Sequence, residues 1–239
     1  MHYFFSDAHL GIGTRAEDRQ KEQRIVAFLR SIRKDATSLY ILGDLFDYWF
    51  EYTSVVPKGY VRLFGTLAEL ADSGVTITYL NGNHDFWMRG YLTEEMGITI
   101  EPDHLTIELD KQPFYLYHGD GLQKNDPGYS ILKRVLRNTL NIRLFSLIHP
   151  DLATGISRYF SAKSRKRSSG KIFENNDMIG FASEIIMNDR ARYVIMGHSH
   201  DPVYHPIGTG AYVNLGDWMR HNTYAVFDGT RLELKKWTG

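Results

Sequence analysis

The chain has no cysteine among its 239 residues. That excludes disulfides and thiolate metal sites, and it suits a reducing cytosol. It has no excess of either charge: 28 lysines and arginines stand against 28 aspartates and glutamates. Bulk charge therefore predicts neither a nucleic-acid partner nor a membrane, and only local clusters can speak for one. No apolar run approaches the roughly 18 residues of a membrane span. Met1-His2-Tyr3-Phe4-Phe5 is too short for the apolar centre of a signal peptide. What the chain does have is a hydrophobic content of 43%, enough to bury a full core over one large domain, 1–239.

The apolar residues come in short runs, and most runs end in residues that bind metals or move protons. Residues 2–6 read as a buried strand leading to Asp7-Ala8-His9. Residues 17–34 read as a helix with an apolar face of Ile25, Val26, Phe28, Leu29 and Ile32. A second strand, 38–42, runs into Gly43-Asp44-Leu45-Phe46-Asp47. A helix over 58–72 stops at Ser73-Gly74, and the next run, 75–80, delivers Asn81-Gly82-Asn83-His84-Asp85. The order strand–helix–strand–helix–strand predicts an α/β fold with helices covering a mainly parallel sheet. A short helix over 90–97 and a hairpin of 105–109 and 113–117, turning at Asp110-Lys111-Gln112, lead to His118-Gly119-Asp120. A last buried strand, 193–196, ends in Gly197-His198-Ser199-His200. Residues 202–236 alternate like antiparallel strands, with 212–218 expected behind the site.

Each motif alone is ordinary. Asn and Gly serve turns, and an Asp-x-His pair is common on surfaces. Together they supply seven oxygen or nitrogen donors and no sulfur: Asp7, His9, Asp44, Asn83, His118, His198 and His200. Two cations about 3.5–4 Å apart, sharing one carboxylate, would use all seven. Asp44 is assigned as the shared carboxylate, because each of its oxygens can serve one ion. So many imidazoles fit Mn, Fe or Zn better than Mg. His84 offers a proton near neutral pH, Asp85 is expected to hold it in one tautomer, and Asp47 is expected to brace a ligand from behind. The aromatic group Tyr48, Trp49, Phe50 and Tyr52 reads either as packing or as a wall of the substrate pocket. His2, His104, His149, His205 and His221 match no motif and read as surface or packing residues.

The ordered set Asp-x-His, Gly-Asp-x-x-Asp, Gly-Asn-His-Asp, His-Gly-Asp and Gly-His-x-His, spanning Asp7 to His200, resembles the calcineurin-like metallophosphoesterases. The resemblance implies a four-layer sandwich of two mixed sheets flanked by helices. It implies a dinuclear site, with Asp7, His9, Asp44 and His200 on one metal and Asp44, Asn83, His118 and His198 on the other. A water activated by the two ions would attack phosphorus, and His84, oriented by Asp85, would protonate the leaving oxygen.

Residues 122–171 are not needed by such a site. Within them, 129–138 places Ile131, Leu132, Val135 and Leu136 on one helical arc and Lys133, Arg134 and Arg137 on the other. Leu140, Ile142, Leu144, Phe145, Leu147 and Ile148 continue the apolar supply, and a basic run from Arg158 reaches Arg167. This segment reads as a helical lid with an apolar interior and a basic rim, suited to a lipid-bearing anion at an acidic membrane. It also reads as a helical pair packed on the core with a solvated basic face. No nucleic-acid partner is expected.

Phe5-Ser6-Asp7-Ala8-His9-Leu10-Gly11, the stretch from Leu42 to Trp49, and His118-Gly119-Asp120-Gly121-Leu122 resemble the UDP-2,3-diacylglucosamine pyrophosphohydrolases of lipid A biosynthesis. That resemblance implies cleavage of the pyrophosphate to UMP and 2,3-diacylglucosamine 1-phosphate, typically with Mn. It implies a peripheral place on the inner face of the cytoplasmic membrane. Substrate contacts carried over are Asn83, His84, Asp126, Tyr129, Ser164, Ser168, Lys171 and His198. Ser168 stands where the family has Asn, and His84 stands where many members have Arg. Two rivals are a phosphoesterase for soluble nucleotides or phosphoproteins, and a non-catalytic scaffold. A scaffold would be expected to have lost ligands, and all seven are present.

Overall fold

Strand β1 (His2–Phe5) lies between β2 (Ser38–Leu42), parallel to it, and β10 (Thr223–Phe227), antiparallel. With β3 (Thr76–Leu80), β4 (Thr99–Glu101) and β11 (Leu232–Lys236), these form a six-stranded sheet in the order β11-β10-β1-β2-β3-β4. A second sheet of five strands follows the order β5-β6-β7-β9-β8. Its members are β5 (His104–Leu109), β6 (Gln112–Tyr117), β7 (Tyr193–Met196), β8 (Val203–Ile207) and β9 (Gly210–Asn214). Both sheets are mixed: β6, β7 and β9 run parallel, with β5 and β8 antiparallel at the edges. The computed structural model describes residues 1–122, 127–168 and 175–239.

The sheets are covered on both faces, which is why their central strands are apolar runs rather than alternating ones. Between the sheets lie Phe4, Tyr40, Leu42, Leu80, Phe114, Leu116, Ile195, Val213 and Phe227. The outer face of the first sheet, with Phe5, Leu39, Ile41, Ile77 and Tyr79, is packed by α1 (Arg15–Ile32), α2 (Val61–Asp72) and α3 (Tyr91–Met96). The outer face of the second, with Tyr115, Val194, Met196 and Tyr212, is packed by α7 (Asn176–Met187) through Met178, Ala182 and Ile185. The result is the four-layer sandwich of helices, sheet, sheet and helix. A buried Phe such as Phe4 or Phe114 contributes about 3–5 kcal/mol against Ala.

Between β6 and α7 the chain builds α4 (Pro127–Leu136), α5 (Thr139–Phe145) and α6 (Pro150–Ser168). These are the helices of the 122–171 segment. They meet the body through Phe145, whose ring lies 5.0 Å from Phe50 and 5.1 Å from Trp87. The Tyr52 hydroxyl donates to the Ile148 carbonyl, and the Trp87 indole donates to the Leu136 carbonyl. Trp49 and Phe50 are both buried, and Trp49 is packing.

Several boundaries differ from the sequence reading. Helix α1 starts at Arg15, because Thr14 and Glu17 form a reciprocal capping box. Helix α2 starts three residues later than expected, after a left-handed Tyr60. The hairpin turn is two residues, Asp110 and Lys111, both at positive φ, as a type I′ turn requires; Gln112 already pairs in β6. The region 202–236 is not one antiparallel unit. Its halves join different sheets, and β9 runs parallel to β7. Strand β4 and helix α7 were not read at all, although Met178, Ala182 and Ile185 carry a helical period. Of the histidines outside the motifs, His2 is a packing residue, buried between Ser38 Oγ at 2.7 Å and Asp110 Oδ2 at 3.0 Å.

Candidate metal centre

Five parallel strands, β1, β2 and β3 of one sheet and β6 and β7 of the other, end at the same edge of the sandwich. Their C-terminal loops carry Asp7 and His9, Asp44 and Asp47, Asn83 to Asp85, His118 and Asp120, and His198 and His200. Crevices at the carboxyl ends of parallel strands are where open α/β sheets present functional side chains. Five of the seven candidate donors, Asp7, His9, Asp44, His198 and His200, have φ between 43° and 67°. A left-handed conformation costs a non-glycine residue about 1–3 kcal/mol and persists only where the surroundings impose it. Here the loops impose it on one another. The Asp7 N–H donates to the Gly43 carbonyl at 3.1 Å, His9 N–H to Asp44 at 2.9 Å, Gly197 N–H to His118 at 3.0 Å, and Trp218 N–H to Asp7 at 3.1 Å.

The turn at Gly82 has a reason other than conformational freedom. A Cβ there would overlap the Asp44 carboxylate, and one on Gly43 would strike Gly82 and the His118 ring. The two loops approach too closely for side chains, and this brings Asp44 under Asn83 and His84.

Asp44 occupies the middle of the site. Its Oδ2 lies 3.5 Å from His9 Nε2 and 3.4 Å from His118 Nε2, while Oδ1 accepts the His84 N–H at 2.9 Å. On one side stand His9, His200 and Asp7: the two Nε2 atoms are 3.1 Å apart, and Asp7 Oδ1 is 3.2 Å from His200 Nε2. On the other side His118 Nε2 lies 3.1 Å from Asn83 Oδ1, and the His198 ring is 5.2 Å from that of His118. His118 Nδ1 is 2.7 Å from the Leu42 carbonyl. A carbonyl can only accept, so Nδ1 carries a proton and Nε2 is the ring atom turned to the centre.

The electrostatics ask for cations. Asp7 and Asp44 are both buried, which alone would raise their pKa values. The adjacent imidazoles of His200 and then His9 hold Asp7 well below the usual carboxylate range, and the charge of His118, then His84, does so for Asp44. Burial alone would depress His9 and His118, yet Asp47 and Asp7 push His9 up to about 10, and Asp44 does the same for His118. Burial and the charge of His118 depress His198 to about 4. Protons on two imidazoles thus supply the positive charge that the carboxylates require. Asp7 Oδ1 is buried and accepts no hydrogen bond among the described residues. An orphaned carboxylate oxygen facing two imidazole nitrogens, beside a carboxylate set between two further ones, fits a divalent cation on each side of Asp44. Three overlapping triads share ligand atoms within 4.8 Å: Asp7-His9-His200, His9-Asp44-His84 and Asp7-Asp44-His118.

The structure corrects one expectation. Asp85 does not hold the ring of His84. Its carboxylate is fully buried and accepts the N–H groups of Asp44, Phe46 and Gly82 and the hydroxyl of Tyr79. It clasps the second and third loops together. Burial, then the charge of Asp44, pushes this carboxyl up to about 6. His84 Nδ1 instead meets the Asp47 carbonyl at 3.0 Å, with Asp47 Oδ1 at 3.6 Å. Asp47 Oδ1 is also 3.6 Å from His9 Nδ1, so it braces both imidazoles. A strand-end carboxylate cannot be assigned to one of two nearby histidines by spacing alone, which is why the sequence pointed to the adjacent residue.

The insertion contributes two cations from the basic arc of α4. Lys133 Nζ lies 2.8 Å from Asp120 Oδ2, and Arg137 reaches Asp120 at 3.8 Å and the Gly82 carbonyl at 3.4 Å. Of the insertion's apolar residues, Leu132, Val135, Leu140, Leu144, Leu147 and Leu152 are exposed, while Leu136, Ile142, Phe145 and Ile148 are partly buried. Asp126 and Lys171 lie outside the described residues, and Tyr129, Ser164 and Ser168 are described by backbone alone, on α4 and α6. A cleft of about 450 Å³ opens beside Asp47, lined among others by Tyr48, Phe50, Tyr52, Val56, Pro150 and Thr154.

Residues 3–202 match the family described as calcineurin-like phosphoesterase. A protein named UDP-2,3-diacylglucosamine hydrolase from Porphyromonas gingivalis is 39% identical, the alignment covering 98% of this chain and 96% of the relative. One of the same name from Pseudomonas aeruginosa is 33% identical, covering 91% and 90%. Among solved structures, a novel archaeal phosphodiesterase aligns over 99% of both chains at 13% identity with a TM-score of 0.51, a likeness of fold.

Proposed function

The chain belongs to the calcineurin-like phosphoesterases and is a metal-dependent hydrolase, and from that premise we propose that it hydrolyses the pyrophosphate of UDP-2,3-diacylglucosamine. The products are UMP and 2,3-diacylglucosamine 1-phosphate. The observation that carries this reading is an alignment over nearly the full length, at 39% and 33% identity, to relatives bearing that substrate in their name. The cleft supports it: aromatic and aliphatic side chains lead away from Asp47, and so from His84 and His9, between the body and the start of α6. That arrangement suits a substrate with a diphosphate at one end and acyl chains at the other.

In this proposal Asp7, His9, Asp44 and His200 hold one divalent cation, and Asp44, Asn83, His118 and His198 hold the second. Four imidazoles among oxygen donors fit Mn, Fe or Zn better than Mg, and the resemblance to the pyrophosphohydrolases favours Mn among them. When bound, the ions supply Lewis acidity that activates a water nucleophile and offsets charge on the phosphate oxygens. The protein's own groups do the rest. Asn83, His84 and His198 face the phosphate. His84, with Nδ1–H committed to the Asp47 carbonyl, has Nε2 left to meet the leaving oxygen. Lys133 and Arg137, held by Asp120, place positive charge at the rim on the side of the insertion. Asp126, Tyr129, Ser164, Ser168 and Lys171 complete the substrate contacts by sequence.

The exposed leucines of α4 to α6 support a peripheral place on the inner face of the cytoplasmic membrane, whose anionic lipids would meet the basic run ending at Arg167. Among the described residues no helix is long and apolar enough to cross a membrane. The test is a purified chain with Mn and UDP-2,3-diacylglucosamine in mixed micelles, products followed by phosphorus NMR. UMP and the lipid phosphate should appear together. An untouched lipid beside rapid turnover of soluble nucleotides or phosphopeptides would replace this reading with the general phosphoesterase one.

A further inference from the structure

We propose that Lys21 is a positioning residue for the metal centre: its ammonium fixes the left-handed turn that presents the imidazole of His9. Lys21 lies on the buried stripe of α1 with Ile25, Phe28 and Ile32, where a lysine is out of place. Its side chain is 7% exposed. An ammonium removed from water needs compensating partners. The two nearest are the His9 carbonyl, which accepts from Nζ at 2.8 Å, and Asp18 Oδ1 at 3.5 Å. The first is the closer and the more consequential.

His9 has φ 43°, a left-handed conformation in the loop that follows β1. The other backbone partner of its carbonyl is the Ile12 N–H at a longer 3.3 Å. The His9 N–H is tied to Asp44, and the ammonium ties the carbonyl, so the peptide units on both sides of the residue are fixed. The ring depends on this. Nε2 stands 3.1 Å from His200 Nε2 and 3.5 Å from Asp44 Oδ2, and a small rotation of the turn would spoil both distances. The neighbouring residue of α1 does the same for a different loop. The buried Glu22 carboxylate accepts the N–H groups of Arg62 and Leu63, which open α2 behind a Tyr60 that offers no side-chain cap. Two adjacent buried charges on one helix thus each hold one turn.

Charge and position act with opposite signs here. As a like charge, Lys21 would repel a cation and weaken its binding; as the anchor of His9, it strengthens binding. The experiment reads that sign. The inference rests on Asp7, His9 and His200 being metal ligands. The full chain is stripped with chelator and titrated with Mn by calorimetry, comparing wild type, Lys21→Met, Lys21→Gln, Lys21→Arg and Asp18→Asn. Wild type should bind two ions. Lys21→Met should weaken one of them about 10–100-fold, the usual loss when a group behind a ligand is removed, and leave the other unchanged. Lys21→Gln, too short to reach the carbonyl, should do the same and serves if the methionine variant does not fold. Lys21→Arg should recover affinity, and Asp18→Asn should match wild type. Unchanged or tighter binding in folded Lys21→Met or Lys21→Gln overturns the inference. A loss equal at both ions, tracking a fall in folded protein by circular dichroism, does so too. Wild type binding no Mn would fail the metal-centre reading itself, a separate outcome.

Discussion

The imidazole of His84 is oriented by the carbonyl of Asp47, 3.0 Å from its Nδ1, and not by the carboxylate that follows it in the chain. Asp85 is occupied with three backbone N–H groups and the Tyr79 hydroxyl. Adjacent residues therefore have separable tasks, one in the chemistry and one in the loop architecture.

Asp85→Ala should act on stability first. It would leave buried donors of Asp44, Phe46 and Gly82 unpaired, each at a cost of about 1–3 kcal/mol. A clear drop in the thermal midpoint of metal-free protein is expected. His84→Ala should leave that midpoint and both ions in place and lower turnover by about 10²–10⁴, the range for a lost general acid or base. If Asp85→Ala melted like wild type and lost only turnover, the carboxylate would belong to His84 after all.

Asp44→Ala should be the most damaging single change at the centre. One oxygen of Asp44 lies between His9 and His118, so the substitution removes a donor from both halves. Metal analysis should fall from two ions towards one or none, with hydrolysis abolished. Full activity, or one ion per wild-type chain under saturating Mn, would remove Asp44 from the shared position.

Much of this site was legible in the sequence because a strand-end loop is a local event. Asp7, His9, Asp44, Asn83, His118, His198 and His200 each follow an apolar run directly, and all seven lie at one edge of the sandwich. What was not legible depends on how loops meet. Lys21 lies on α1 and reaches His9 across a helix–loop contact, and its only sequence signal is a lysine on an apolar stripe. Lys133 and Arg137 reach inward to the buried Asp120 carboxylate, a fact about burial that helical period does not contain. Likewise a hydrophobic arc shows that a helix has two faces without saying which one meets the body, and Leu132, Leu140 and Leu144 are exposed.

Phe145 is where the insertion meets the body, stacked on Trp87 and against Phe50. Phe145→Ala should loosen α5 without touching any metal donor. The Michaelis constant for the diacyl substrate should rise, while hydrolysis of a small chromogenic phosphodiester and Mn stoichiometry stay as they are. A parallel loss of both activities would make the segment part of the core and not a substrate-selecting element.

The last prediction concerns how the chain meets a lipid surface. Sequence reading favoured a basic rim, which added salt should weaken. The structure adds exposed Leu140, Leu144 and Leu147 around α5, the last 81% exposed. Each fully buried leucine is worth about 1.5–3 kcal/mol, so three of them outweigh several screened charge contacts at about 1 kcal/mol each. Leu140→Ser, Leu144→Ser and Leu147→Ser together should therefore release the protein from anionic vesicles more completely than high salt does. Turnover of detergent-dispersed substrate should persist, because the three leucines are exposed and none is a candidate metal donor. Vesicle binding that salt abolishes and the triple variant leaves intact would return the attachment to charge alone.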